Sequence, residues 1–394
     1  MAPALSKKLL PWFRTNKRDL PWRRTYTAGT RPKGAAPFLE GGVDRNGGGR
    51  SPPRGVHRRR SKVNHPDPYA IWVSEAMLQQ TRVEAAVDYY RRFLRRFPTV
   101  EALARAPESE VLKAWEGLGY YSRARHLRRA AEIVVREHGG RVPRDPEAFG
   151  ALPGVGPYIR GAVMSIAYDL PEPILDGNVK RVLARYFAVT EPLPKSEPRL
   201  RGLAADVLDR RHPGEFNEAL MELGATVCTP REPKCDGCPI RRGCRARARG
   251  LQDSLPRRAP MGKVPRHEAA VGVVRRGERI LIALRPSAGL LGGLWELPGG
   301  KRKPGESLAG CAAREIAEET GLRVRAGRRL ATVEHAYTHF KVTLHAYECA
   351  VAGGRARPIG CAEVRWVRPR ELENYAFPRA NRKLFEQIGE VLGW

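Results

Sequence analysis

At 394 residues the chain is longer than one compact core usually holds, so two domains are expected. It carries 71 Lys and Arg against 42 Asp and Glu, a formal charge of +29 spread along its length, which points to a polyanionic partner such as nucleic acid. No run of 18 apolar residues occurs, so no helical membrane span is expected, and the opening MAPALSKKLLPWF lacks the apolar core of a signal peptide.

Residues 5–17 (LSKKLLPWFRTNK) read as a short amphipathic helix leading into Arg18-Asp19-Leu20-Pro21-Trp22-Arg23, and residues 1–24 are assigned to the first domain. Residues 25–66 are rich in Gly, Pro and Arg without periodicity. They cannot bury apolar surface and read as a disordered basic insertion. Helical spacing returns at 70–81 and recurs at 84–96, 108–115, 122–138, 157–168, 177–187, 198–211 and 215–226, so residues 67–245 read as an all-α domain. A Pro- and Arg-rich stretch, 246–266, reads as a flexible linker. Beyond it the period switches. AAVGVVR, RILIALR, FKVTLHAYECAV and EVRWV read as strands around one helix, SLAGCAAREIAEETG, giving an α/β domain over 267–394.

Three constellations carry chemistry. Leu152-Pro153-Gly154-Val155-Gly156 is a glycine turn between helical segments, where backbone amides and the next helix's positive end can hold a phosphate without reading sequence. Asp176 precedes the helix VKRVLARYF, and a helix N-terminus stabilises its ionised form. Glu75 lies among Ile71, Trp72, Val73, Met77 and Leu78, where desolvation would raise its pKa and suit it to act as a general acid. Two such carboxylates match the chemistry of glycosidic-bond cleavage. Cys228, Cys235, Cys238 and Cys244 form a C-x6-C-x2-C-x5-C array that can hold a [4Fe–4S] cluster or tetrahedral zinc. Having one short knuckle rather than two, it leans toward iron–sulfur. Arg231, Lys234, Arg241, Arg242 and Arg245 surround it. Cys311, Cys349 and Cys361 are scattered and read as free core or surface thiols. The four packed between 228 and 244 look like a metal-type cluster in a reducing compartment rather than a disulfide scaffold, and a cytoplasmic, nucleoid-associated location is expected.

The LPGVG hairpin, the aspartate that follows it and the cysteine array resemble the helix-hairpin-helix DNA glycosylase superfamily. IWVSEAMLQQTRV, AWEGLGYYSRAR and LDGNVKRVLAR look like its adenine-specific, MutY-type branch. The resemblance covers residues 5–23 and 67–394. It implies an all-α helix-hairpin-helix glycosylase domain with an iron–sulfur cluster loop, followed by an α/β Nudix-like domain. It further implies a monomeric base-excision enzyme acting on double-stranded DNA at adenine mispaired with 8-oxoguanine or guanine. Glu75 would protonate the flipped adenine, and Asp176 would stabilise the sugar, with Tyr158 and Asn178 ordering the pocket. Arg18 and Trp22 would line the adenine pocket. Gln80 and Tyr120 would insert into the base stack, with Thr81 and Leu118 near the opposite base and Gly154 and Gly156 on the phosphate. Lyase relatives are expected to carry a lysine just past the turn. Tyr158 follows Gly156-Pro157 here, so base removal without strand cleavage is expected. A bifunctional glycosylase/lyase and a non-catalytic cluster-bearing DNA-binding protein stand as alternatives.

The C-terminal region has its own motif. Gly300-x5-Glu306-x7-Arg314-Glu315-Ile316-x-Glu318-Glu319-x-Gly321 is similar to a complete Nudix box, whose Glu315, Glu318 and Glu319 could hold Mg2+ beside a pyrophosphate. In the family resembled, this domain reads 8-oxoguanine and its box is often degraded. The intact box leaves open either a retained scaffold or nucleotide pyrophosphatase activity. Tyr337-Thr338-His339 resembles the damage-reading loop. Trp295 reads as packing beneath the box.

Overall fold

The computed structural model describes residues 2–23, 66–257 and 264–394. The insertion expected over 25–66 lies, apart from Pro66, outside the described residues, as do positions 258–263 of the expected linker. Helices α1 (Ala2–Asn16), α2 (Pro68–Leu78), α3 (Val83–Arg96), α4 (Val100–Arg105), α5 (Glu108–Trp115), α6 (Ser122–Glu137) and α7 (Pro146–Gly150) precede the glycine hairpin. Helices α8 (Pro157–Tyr168), α9 (Gly177–Phe187), α10 (Glu197–Val207), α11 (Pro213–Thr226) and α12 (Arg245–Ala248) follow it. The remainder comprises β1 (Arg266–Arg276), β2 (Arg279–Leu284), β3 (Trp295–Glu296), β4 (Gly299–Lys301), α13 (Leu308–Thr320), β5 (Arg323–Ala336), β6 (Lys341–Gly353), β7 (Glu363–Val367) and α14 (Arg379–Leu392).

The chain forms two compact units that cut across the expected 67–245 and 267–394 division. One comprises Met1–Glu75, Tyr90–Ala102 and Val134–Arg258; the other comprises Ala76–Tyr89, Leu103–Ile133 and Ala259–Trp394. In the first, Leu5, Leu9 and Phe13 of α1 repeat every fourth residue. They bury against Val179, Val182 and Leu183 of α9 and Phe216, Leu220 and Leu223 of α11. Each such side chain contributes roughly 1.5–3 kcal/mol. Gly224 lets α11 approach α9, because a Cβ there would stand 2.6 Å from that of Asn178. Part of the expected flexible linker belongs to this unit. Ala246 and Leu255 are buried, and the fully buried Arg185 donates to the Leu255 carbonyl at 2.9 Å, so these two residues anchor the stretch to this unit while most of the residues between them are exposed.

In the second unit, β1 runs parallel to β6, with Val271 opposite Ala346, within a mixed seven-stranded sheet of order β3-β2-β1-β6-β5, with β4 paired to β1 and β7 to β2 beside that path. Alternation along β1 feeds two cores. Ala269, Val271 and Val273 join Leu384 and Ile388 of α14, while Val274 meets Ile316 of α13. A helix thus covers each face, as an α/β layer requires. The unit also includes α5: Glu116, just past its end, accepts from Arg382 Nε (2.6 Å), the Phe377 amide (3.0 Å) and Lys113 Nζ (2.6 Å).

Candidate active site and cysteine loop

Every residue of α2 from Tyr69 to Met77 is buried, so the one carboxylate among them, Glu75, has almost no access to water; it is 3% exposed. Burial drives its pKa up to about 7. The Tyr158 hydroxyl, donating to Oε2 at 2.5 Å, opposes that shift, and the negative charges of Asp176 and Glu218 add to it. Near neutrality about half of the Glu75 side chains hold a proton, the condition a general acid needs.

Asp176 is the N-cap of α9. Its Oδ1 accepts from the Val179 amide at 2.6 Å and its Oδ2 from Asn178 Nδ2 at 2.9 Å. Burial raises its pKa, while these bonds and the Arg181 charge pull it back. Glu75, Tyr158, Asp176 and Asn178 all belong to the first unit. The hairpin turns at Gly154, whose φ of 77° suits glycine. Gly156 then caps α8 without a side chain, leaving its first-turn amides available to an anion.

Trp22 is buried and packs edge-on against Tyr90, ring centroids 5.4 Å apart. Arg18 Nε and Nη2 donate to Glu222 at 2.8 and 3.0 Å, and Arg23 donates to Glu222 (2.9 Å) and Glu218 (3.0 Å). Despite its burial, Glu222 is held below the usual carboxylate range by these arginines. Arg23, Glu218 and Glu222 are not among the site residues expected from sequence. The available signal was two carboxylates one turn apart in the otherwise apolar helix FNEALMELGA.

The expected stack-inserting residues belong to the second unit. The helix expected over 70–81 stops at Leu78, because Gln80 takes a left-handed conformation with φ 61°. Gln80 is exposed, Thr81 half-buried and Leu118 buried. Tyr120 is 38% exposed, has φ 48°, and its hydroxyl bonds the Thr338 hydroxyl. In the β5–β6 loop Tyr337 stacks on Phe340 at 4.7 Å, and Thr338 and His339 face solvent.

In the Nudix box Arg314 ties Glu306 (2.7 Å), Glu315 (2.8 Å) and Glu318 (3.0 Å) together. Glu319 accepts from the Gly299 amide at 3.0 Å, and burial beside Glu296 pushes its pKa to about 8. Glu296 itself pairs with Arg285 at 2.7 Å. Trp295 is buried against Tyr375, ring centroids 5.1 Å apart.

Among the described residues no three His, Cys, Asp or Glu side chains gather closely enough to hold a metal ion. Cys228, Cys235, Cys238 and Cys244 are unbridged and line one cavity with Val182, Tyr186, Leu223 and Ile240. Four thiols around an apolar cavity suit an inorganic cluster bound by thiolates. Arg185 Nη1 donates to Cys228 Sγ at 3.3 Å, and Arg181 joins the loop to the carboxylate site, donating to the Cys228 carbonyl (2.7 Å) and Asn178 Oδ1 (2.8 Å). Both arginines escaped the sequence reading, although their one-turn spacing on α9 was visible.

Residues 73–203 match the family model described as "HhH-GPD superfamily base excision DNA repair protein", and residues 270–387 match "NUDIX domain". The chain is 35% identical to the adenine DNA glycosylase of Homo sapiens, across 99% of this chain and 76% of that protein. It belongs to the adenine DNA glycosylase family. The adenine DNA glycosylase of Rattus norvegicus is 36% identical, across 98% of this chain and 78% of that protein. A solved structure described as a thermostable thymine-DNA glycosylase is 28% identical and covers 63% of this chain and 97% of its own, with a TM-score of 0.49. In this adenine glycosylase family member, the helix-hairpin-helix match takes in Glu75, the hairpin, Tyr158 and Asp176 and stops before the four cysteines. The Nudix match takes in the box and Tyr337–His339.

Proposed function

We propose that this glycosylase hydrolyses the N-glycosidic bond of adenine mispaired with 8-oxoguanine or guanine in duplex DNA. The observation that carries the reading is the buried Glu75, hydrogen-bonded by Tyr158 and shifted to about 7, in the same unit as Asp176. Extruding the base costs a few kcal/mol of unstacking, part of which Gln80 and Tyr120 offset by insertion. Glu75 then gives its proton to adenine N7. The bond from sugar C1′ to N9 breaks, its electron pair leaving with the base. Asp176, kept in place by Asn178 and the Val179 amide, stabilises the positive sugar until water adds at C1′ and passes a proton to the Glu75 carboxylate, which returns to its starting state. Thr338 and His339 offer a hydroxyl and an imidazole to the damaged guanine. Because Tyr158 supplies no amine, the product is an abasic site rather than a cut strand.

Cys228, Cys235, Cys238 and Cys244 would hold a [4Fe–4S] cluster, which when bound cross-links the loop they span. The Nudix-like domain acts as a scaffold for damage recognition. The protein works as a monomer, in the cytoplasm on chromosomal DNA.

Purified protein should convert an adenine:8-oxoguanine duplex to an alkali-labile product, with Glu75→Gln inactive and no adduct trapped by borohydride. Excision by Glu75→Gln at the wild-type rate would overturn the catalytic assignment. Pyrophosphate release from oxidised dGTP with Mg2+, abolished by Glu318→Gln, would overturn the scaffold role.

A further inference from the structure

Arg123 opens α6 as part of the second unit, with its guanidinium turned inward. Nη1 donates to the carbonyls of Ala76 (2.8 Å), Met77 (2.9 Å) and Gln79, at the C-terminal end of α2. Nη2 donates to the carbonyl of Gly119 at 3.0 Å, and the charge lies 5.5 Å from the centre of the Tyr120 ring. No carboxylate pairs with it among the described residues, and burial draws its pKa down to about 10, so at neutral pH it remains a cation held by carbonyl dipoles.

Those carbonyls lie at two places in the chain, the C-terminal turn of α2 with Gln79 just beyond it, and the loop that holds Gly119. One leads from α2 into Gln80 and the other runs through Gly119 into Tyr120, and both residues hold a left-handed backbone that non-glycine residues rarely keep unless their surroundings impose it. A single planar fork of donors thus spans both places, a task that the point charge of a lysine cannot perform. We infer that Arg123 is a positioning residue that clamps the Gln80 and Tyr120 loops in the shape needed to enter the base stack. The inference rests on the insertion role proposed above for those two residues. It assigns Arg123 to the extrusion step and not to bond cleavage.

Two adenine substrates test it under single-turnover conditions: one mispaired with 8-oxoguanine in a duplex, the other unpaired opposite an abasic site, where extrusion costs less. Arg123→Met should slow excision from the mispair by about 100-fold, as expected for misplaced groups, and from unpaired adenine by only a few-fold. Arg123→Lys, which keeps the charge and guards against a misfolded Met variant, should excise from the mispair at a rate between those of wild type and Arg123→Met, with wild-type melting and iron content. An equal loss on both substrates, or no loss on either, would overturn the clamp. Fluorescence of 2-aminopurine at the target position reads unstacking without excision. A rise with wild type that Arg123→Lys reduces and Arg123→Met abolishes supports the clamp even if adenine proves not to be the base removed. Failure of wild type to excise either adenine would count against the adenine assignment alone.

Discussion

Glu75 illustrates how burial writes chemistry into one residue. An unfolded chain would release this proton near pH 4.5, whereas the folded chain holds it to about 7. Folding therefore takes up a proton between those values. Stability is full below about 4.5, falls as pH rises through 7, and above that the buried charge costs on the order of 3 kcal/mol. Glu75→Gln keeps the shape and removes the charge. It should melt higher than wild type at pH 8 and converge with it near pH 4, in thermal scans across that range. Single-turnover excision by wild type should drop by about tenfold per pH unit well above 7, following the protonated fraction of Glu75. A flat profile from pH 6 to 9 would remove Glu75 from the acid role.

At the scale of elements, the site depends on where α9 begins and how closely α11 crosses it. Asp176 serves as both the cap of α9 and the proposed charge stabiliser, and the two roles separate in Asp176→Asn. Asparagine caps a helix about as well as aspartate, so the melting temperature should stay near that of wild type. Loss of the charge should lower excision by 100-fold or more, on the order seen when a preorganised charge is removed from a site. Gly224→Ala perturbs the same place from the other helix. Its Cβ would meet Asn178 at 2.6 Å, and the backbone of that residue at 3.1 Å, so α9 must shift. We expect a loss of 1–3 kcal/mol in denaturant melts, as for other overpacked positions. Excision should fall with it, because Asn178 carries the bond to Asp176.

For the whole molecule, the formal charge of +29 governs encounter with DNA more than it governs the fold. If six to ten phosphates are neutralised, affinity for undamaged duplex should fall by about 10³- to 10⁵-fold between 50 and 200 mM salt, measured by anisotropy. A slope near zero would mean that the arginines are simply solvated surface. Helix α5 and the loop after α2 group with the C-terminal sheet, and Glu116 bonds Phe377 and Arg382 across more than 250 positions of sequence. Contacts at such separation leave no local period to read.

Local periodicity and spacing were sufficient for much of this protein. The bounds of α8 and α9, the strands around EVRWV and FKVTLHAYECAV, the capping position of Asp176 and the cysteine array could all be read directly, because each depends on neighbours a few residues away. Among the elements not expected from sequence, two of the longest escaped for local reasons. The arginines of β5 blur its alternation, and α14 carried a fourth-residue apolar spacing at Ala380, Leu384 and Ile388 that went unread. What tertiary structure alone decided was which groups share a pocket and how much water they keep: Tyr158 on Glu75, Glu222 beneath Arg18 and Arg23, Arg181 between the cysteine loop and Asn178, and Arg123 across two loops. Desolvation and hydrogen-bond direction arise only when distant segments pack, so the acidity of Glu75 could be anticipated as a tendency and fixed only by the fold.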